Sequence, residues 1–200
     1  MIDADKFDVV QYAVENISEM NEMPELIEHS IVVSNISRLI AKKMGMDEKF
    51  CNDIAITGLV HDIGKIPVYF SIYGKNHNKL NVEKMRFIRS HSKVGYDILQ
   101  DVGFSEDICK AVLHHHENYD GSGYPNNLRG EEIPLTARII RVSDTFAALT
   151  SDRTYRKAFD SNTAVKLMID EVKNFDMEIF LKFLDIINTV DIKEITGKEE

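Results

Sequence analysis

Long apolar runs are missing from this 200-residue chain. No stretch approaches the ~20 residues that a membrane-spanning helix needs. The N-terminus, Met1-Ile2-Asp3-Ala4-Asp5, lacks the basic-then-apolar order of a secretory signal. Cysteine is scarce: Cys51 and Cys109 stand far apart with no CxxC spacing. They read as reduced, buried thiols of a cytoplasmic protein, not as a disulfide or zinc framework. Positive charge is in deficit, with 24 Lys and Arg against 33 Asp and Glu and a formal net charge of −9. That argues against long nucleic-acid backbones as partners, because these favour basic faces. A small phosphate ligand stays admissible, since bound metal ions bring their own positive charge. Also missing are internal repeats, low-complexity segments and any alternating run long enough for a sheet.

What is present is helical periodicity, and the class it predicts is all-α: a single-domain helical bundle. Residues 5–21 place Phe7, Val10, Tyr12, Val14 and Ile17 at helical spacings. Pro24 opens a second helix that Gly45 stops. Asp47 starts a third, which ends at His61-Asp62. Residues 66–82, with Pro67, Gly74 and several Asn, read as irregular. A helix from Glu83 to Val102, broken near Ser90, closes at Gly103. Ser105 with Glu106 and Asp107 reads as an N-cap and acidic first turn, and that helix ends at His114-His115-His116-Glu117. Asn118 to Ile133 carries three Gly, one Pro and three Asn; loops of this length inside a compact domain are usually functional. Pro134 opens a helix through Leu149, Ser161 caps one to Asn174, and Asp176 starts a last one. The expected division is an N-terminal helix in 1–24, a domain over 25–190 and a tail over 191–200.

Several polar residues fit poorly as packing. His61-Asp62 ends an apolar run, and a buried polar pair costs several kcal/mol unless something satisfies it. A first-row metal would satisfy both; a helix-end His beside an Asp cap is the plain alternative. Glu25 and His29, at i and i+4, share a helix face and can hold one metal together, although alone each reads as surface or core. His91 on its own reads as a surface or cap residue. Tandem His114-His115-His116 would repel if charged, whereas a metal keeps such rings neutral. Asp144 is a lone carboxylate in the apolar stretch Ile139, Ile140, Val142, Phe146.

In order and type, His29, His61-Asp62 and Asp144 resemble the HD phosphohydrolase superfamily. His91, His115-His116-Glu117 and Asp120-Gly121-Ser122-Gly123-Tyr124-Pro125 resemble its HD-GYP branch, over roughly residues 25–185. Gly64-Lys65 and Ser151-Asp152-Arg153-Thr154-Tyr155-Arg156 also lie where that branch has its motifs. The resemblance implies a cyclic di-GMP phosphodiesterase giving linear pGpG, GMP or both. It implies one metal on His29, His61, Asp62 and Asp144, and a second on Asp62, His91, His115 and His116. Some members hold a third ion, with Glu25 in place for it. Two or three divalent ions are therefore implied, iron or manganese by donor type. Asp62 and Lys65 would be catalytic, and Lys65, Tyr124, Arg153 and Arg156 would bind substrate. Two metals about 3.5–4 Å apart share a water and lower its pKa toward neutral, and Lys65 helps neutralise the phosphoryl oxygens.

The pattern is broken at three places. Ala147 stands where the family usually has a second Asp, Asn118 where it often has Arg, and Thr154 where Pro is usual. These departures keep two alternatives open: hydrolysis of another cyclic dinucleotide or nucleotide, and a cyclic dinucleotide sensor that does not hydrolyse. The short segment before Glu25 is too small for a sensory domain. Pairing with a second copy or with an upstream sensory protein is left open.

Overall fold

The computed structural model describes residues 23–73, 88–152, 156–190 and 195. The helix expected over 5–21, and His77, Glu83 and Arg153, lie outside them. The described elements are α1 (Met23–Lys43), α2 (Glu48–Val60), α3 (Lys65–Tyr73), α4 (His91–Asp101), α5 (Glu106–His114), α6 (Leu135–Thr150), α7 (Ser161–Asp170) and α8 (Met177–Thr189). Single 3₁₀ turns cover Gly130–Glu132 and Val172–Asn174. None of these helices is long and apolar enough to cross a membrane.

Local chemistry explains most boundaries. α1 carries Glu25 in its first turn and Lys42 and Lys43 in its last, matching the helix dipole. Gly45, at φ 77°, ends it in the left-handed conformation glycine tolerates. Asp47 caps α2 by accepting from the Phe50 amide at 2.7 Å. Gly103, at φ 86°, ends α4 in the same way as Gly45 ends α1.

Three sequence expectations are corrected. α3 is a helix where Pro67 and Gly74 suggested irregular chain; Pro67 falls in its first turn, where a missing N–H breaks no helical bond. α7 is capped by Asp160, whose carboxylate accepts from the Thr163 amide at 3.0 Å, and not by Ser161. It stops at Asp170, and a separate 3₁₀ turn carries the chain to Asn174. Ser105 occupies the N-cap of α5 by its backbone, yet its hydroxyl makes no capping bond.

The main core joins Val33, Ile36 and Ile40 of α1 to Ile54 of α2, Ile140 and Phe146 of α6, Met168 of α7 and Phe180 and Phe183 of α8. Ile195, assigned by sequence to the tail, is buried in this core, and its carbonyl accepts from Asn35 Nδ2. A second cluster, Leu99, Ile108, Cys109 and Val112, joins α4 to α5. Both cysteines are free and buried.

Candidate metal centre

Three helices and two turns bring the polar residues together: His29 from α1, His61 and Asp62 just after α2, His91 at the start of α4, His115 and His116 just after α5, and Asp144 from α6. They form two groups. His29, His61 and Asp144 offer ligand atoms within 4.8 Å of one another, as do Asp62, His91, His115 and His116. Asp62 faces both: Oδ2 lies 3.3 Å from His61 Nε2 and 3.8 Å from His29 Nε2, while Oδ1 lies 3.3 Å from His91 Nε2 and 3.8 Å from His115 Nε2. Apart from the half-buried His116, every member is at most 7% exposed.

The rings are aimed by the backbone. His61, His91 and His115 each donate Nδ1–H to the carbonyl three residues earlier, on Gly58, Ile88 and Val112, at 2.8, 2.7 and 2.6 Å. In the neutral ring, a proton fixed on Nδ1 leaves Nε2 as a lone pair directed into the cluster. The Nε2 atoms of His91 and His115 then face each other at 3.3 Å, and those of His91 and His116 at 3.1 Å. Between His91 and His115, two lone pairs at that distance repel unless a cation lies between them. Among the described residues, His29 Nδ1 and Nε2, His61 Nε2 and Asp62 Oδ1 are buried and find no hydrogen-bond partner. Buried polar atoms without partners are rare and costly. Imidazole nitrogens and carboxylate oxygens converging in this way fit divalent metal ions.

Without metal, the site polarises itself. Burial pushes up the Asp62 carboxyl, but the His61 and Lys65 charges outweigh it and hold the group well below the usual range. Burial acts likewise on Asp144, and His29 and His61 outweigh it there. Burial lowers His29 despite Asp144, and it lowers His115 well below its usual value, helped by the neighbouring His116, His61 and His91. His116 falls to about 3, chiefly by burial. In His61 the effect of burial is reversed by the Asp62 and Asp144 carboxylates, which raise it to about 10. At neutral pH Asp62 and Asp144 are therefore carboxylates, His61 is an imidazolium, and His29, His115 and His116 are neutral.

The sign of the pH dependence follows. A raised His61 stabilises the metal-free fold fully below pH 6.5, and that contribution disappears as pH climbs toward about 10. Loading a metal must displace the His61 proton. His61 should release close to one proton per chain at pH 7.5, about half a proton near pH 10 and less above it. Calorimetric metal titrations in two buffers of different ionisation heat measure this. Zero release at pH 7.5, or release that grows with pH, would show the assignment to be wrong.

The remaining expected residues divide. Lys65 Nζ pairs with Asp62 Oδ2, on the His29 and His61 side. Tyr124 stacks on His116 with ring centres 4.8 Å apart and planes at 29°. Glu25 is exposed and belongs to neither group: one turn before His29, it stands about 6 Å further along the axis of α1. Arg156 presents no free fork. Its guanidinium donates to the Ala148, Leu149 and Lys157 carbonyls, closing the C-terminus of α6.

Glu117 had no assigned role in the sequence, yet it anchors the glycine-rich loop. It is 1% exposed. Its carboxylate accepts from the Asn126 amide at 2.7 Å and the Leu128 amide at 3.1 Å. Gly123 lies so close to this turn that a Cβ there would meet the Asn118 nitrogen at 2.2 Å. The loop that carries Tyr124 is thus fastened directly behind His116. Only the burial of an acidic residue between a His run and a Gly-rich loop distinguishes Glu117, and sequence alone does not show burial. Glu117→Ala leaves two amides without acceptors and should lower stability by about 2–3 kcal/mol. Thermal melts should fall by about 4–12 °C, with metal content retained; an unchanged melting point would contradict the anchoring role.

A model of the HD domain family matches residues 13–179. The chain is 38% identical over 135 residues to the cyclic di-GMP phosphodiesterase response regulator RpfG of Xanthomonas campestris pv. campestris, a match covering 66% of this chain and 35% of that protein. It is 37% identical over 155 residues to the 3'3'-cGAMP-specific phosphodiesterase 1 of Vibrio cholerae, covering 76% and 36%. The chain thus spans little more than a third of the length of these relatives. Among solved structures, an HDG"Y"P protein from Bdellovibrio bacteriovorus superposes with a TM-score of 0.65 at 20% identity, covering 92% of this chain and 62% of that one. That likeness speaks for the fold.

Proposed function

The chain belongs to the HD domain family, and from that premise we propose that it is of HD-GYP form, a metal-dependent phosphodiesterase hydrolysing cyclic di-GMP to pGpG, GMP or both. The family implies divalent metal binding, and the His/Asp cluster has the donors for it. The observation that carries the proposal is Asp62 turned toward both ligand groups at once. His29, His61, Asp62 and Asp144 would hold one ion and Asp62, His91, His115 and His116 the other, with iron or manganese suited to the donors. When bound, such ions act as Lewis acids on a phosphoryl group and lower the pKa of a shared water.

The chain's own residues do the rest. Nδ1 hydrogen bonds to backbone carbonyls fix the imidazole orientations before any ligand arrives. The Lys65 ammonium, held by Asp62, stands ready to offset charge growing on phosphoryl oxygens. Tyr124, stacked on His116 and fastened through the loop by Glu117, offers its ring as a platform for a nucleobase. Arg153 remains a candidate substrate contact, and Arg156 would have to leave its helix-capping position to become one. We assign the protein to the cytoplasm and leave a second copy or an upstream sensory protein as its macromolecular partners.

A second reading, hydrolysis of 3'3'-cGAMP, is favoured by the 37% identity to an enzyme named for that substrate. Anaerobically metal-loaded protein incubated separately with the two cyclic dinucleotides, and analysed by chromatography, separates the readings. Turnover of cyclic di-GMP is expected. Turnover of 3'3'-cGAMP alone supports the second reading, and full metal loading with binding but no turnover supports a sensor.

A further inference from the structure

Two arginines that no motif singled out stand at one edge of the cluster. Arg141 lies on α6 three residues before Asp144, so both side chains leave the same helix face. Its Nε donates to Asn118 Oδ1 at 3.0 Å and its Nη1 to Thr145 Oγ1 at 3.3 Å. Among the described residues its Nη2 meets no acceptor, so the guanidinium is anchored along one side and open on the other. Arg89 lies two residues before His91, and its guanidinium carbon sits 5.1 Å from the Tyr124 ring centre. Tyr124 in turn stacks on His116, and Asn118, which Arg141 holds, lies two residues after His116. The two arginines therefore meet the same loop beside His116. Arg38 and Arg138 are paired with Glu48 and Asp176, whereas Arg89 and Arg141 have no carboxylate partner among the described residues.

Cationic groups thus divide around the cluster. Lys65 serves the His29 and His61 side through Asp62 Oδ2. Arg89 and Arg141 serve the His116 and Tyr124 side, through Tyr124 and Asn118. In a chain of net charge −9, an anion gains little from the overall field and depends on such local cations. Guanidinium forks suit phosphate oxygens. Asn118, the residue Arg141 grips, is the position where the HD-GYP pattern often has Arg, so here a neighbouring helix delivers the guanidinium to that place.

We infer that Arg89 and Arg141 form a guanidinium clamp for the second phosphate of a two-phosphate ligand, the phosphate not under attack. The inference rests on the cyclic dinucleotide reading above, because a single-phosphate ligand gives the clamp nothing to hold.

Equilibrium dialysis of the full, metal-loaded chain tests it with two probes. One is the hydrolysis-resistant bis-phosphorothioate of cyclic di-GMP, the other inorganic phosphate. Arg141→Gln and Arg89→Gln should each weaken the dinucleotide probe about tenfold or more, as expected for a lost charge-assisted bond. Inorganic phosphate should bind each variant as it binds the wild type, which a general loss of structure would not allow. Because Arg89 is exposed, its variant decides the matter even if Arg141→Gln folds poorly. If both variants bind the dinucleotide probe like the wild type, the clamp is overturned and the hydrolase reading stands. If Asn118→Ala, which keeps the guanidinium but cuts its tie to the loop, weakens the probe as much as Arg141→Gln does, the effect belongs to the loop and the clamp is overturned. If the wild type fails to bind the dinucleotide probe at all, the substrate reading fails and the clamp with it.

Discussion

Asp62→Ala is expected to abolish cyclic dinucleotide turnover, with a loss on the order of 10³-fold or more. The several kcal/mol that metal ions supply to phosphoryl transfer correspond to a factor of that order. Its two oxygens serve the two ligand groups, Oδ2 facing His29 and His61 and Oδ1 facing His91 and His115, whereas Asp144 reaches the second group only at 4.0 Å from His116 Nδ1. Removing it should weaken both ions together. The same carboxylate keeps the His61 proton in the metal-free protein, so His61 should titrate lower in the variant. Metal-free stability should then depend less on pH between 6.5 and about 10. Steady-state kinetics with metal analysis of the same preparation measure both effects. A variant that keeps two ions and most of its turnover would contradict the bridging role.

The second large effect is expected from Gly64→Ala, a residue with no functional group. A Cβ at this position would lie 2.0 Å from the His91 carbonyl oxygen and 2.6 Å from the Gly95 amide nitrogen. Both are backbone atoms, so no side-chain rotation relieves the clash. The start of α4 must move, and His91 moves with it. Overpacking of this kind costs about 3 kcal/mol or more where the backbone has to shift. His91 belongs to the Asp62, His91, His115 and His116 group, so that group should lose affinity while His29, His61 and Asp144 keep theirs. Denaturant melts and metal titration should therefore show a less stable protein that retains one ion of two. Retention of both ions at wild-type affinity would contradict this reading of Gly64, and equal loss of both would assign the effect to the fold as a whole.

These two residues also show what the chain makes legible. Helices α1, α2, α6 and α8 follow from apolar spacing with Pro24, Asp47, Pro134 and Asp176 at their starts, because such caps act locally. α3 was obscured by Pro67, whose effect depends on its position within a helix and not on its presence. At the site, His61 and Asp62 stand out because an apolar run delivers them into the interior. His29 and Asp144 come from α1 and α6, far apart in the chain, and no local period connects them. Their grouping came from likeness to a family, and the three-dimensional packing of α1 against α6 supplies its physical basis. Glu117, Gly64 and Arg141 act through burial or close approach, which the sequence does not encode locally. Arg156 shows the converse: its charge suggests an anion, while the carbonyls of Ala148 and Leu149 at the end of α6 and of Lys157 take up donors that the sequence leaves open.

The most direct measurement is the number of divalent ions held per chain by anaerobically prepared protein after exhaustive dialysis, read by elemental analysis. Two ions per chain are predicted, one for each ligand group. Fewer than one would contradict the metal centre on which every functional statement above depends.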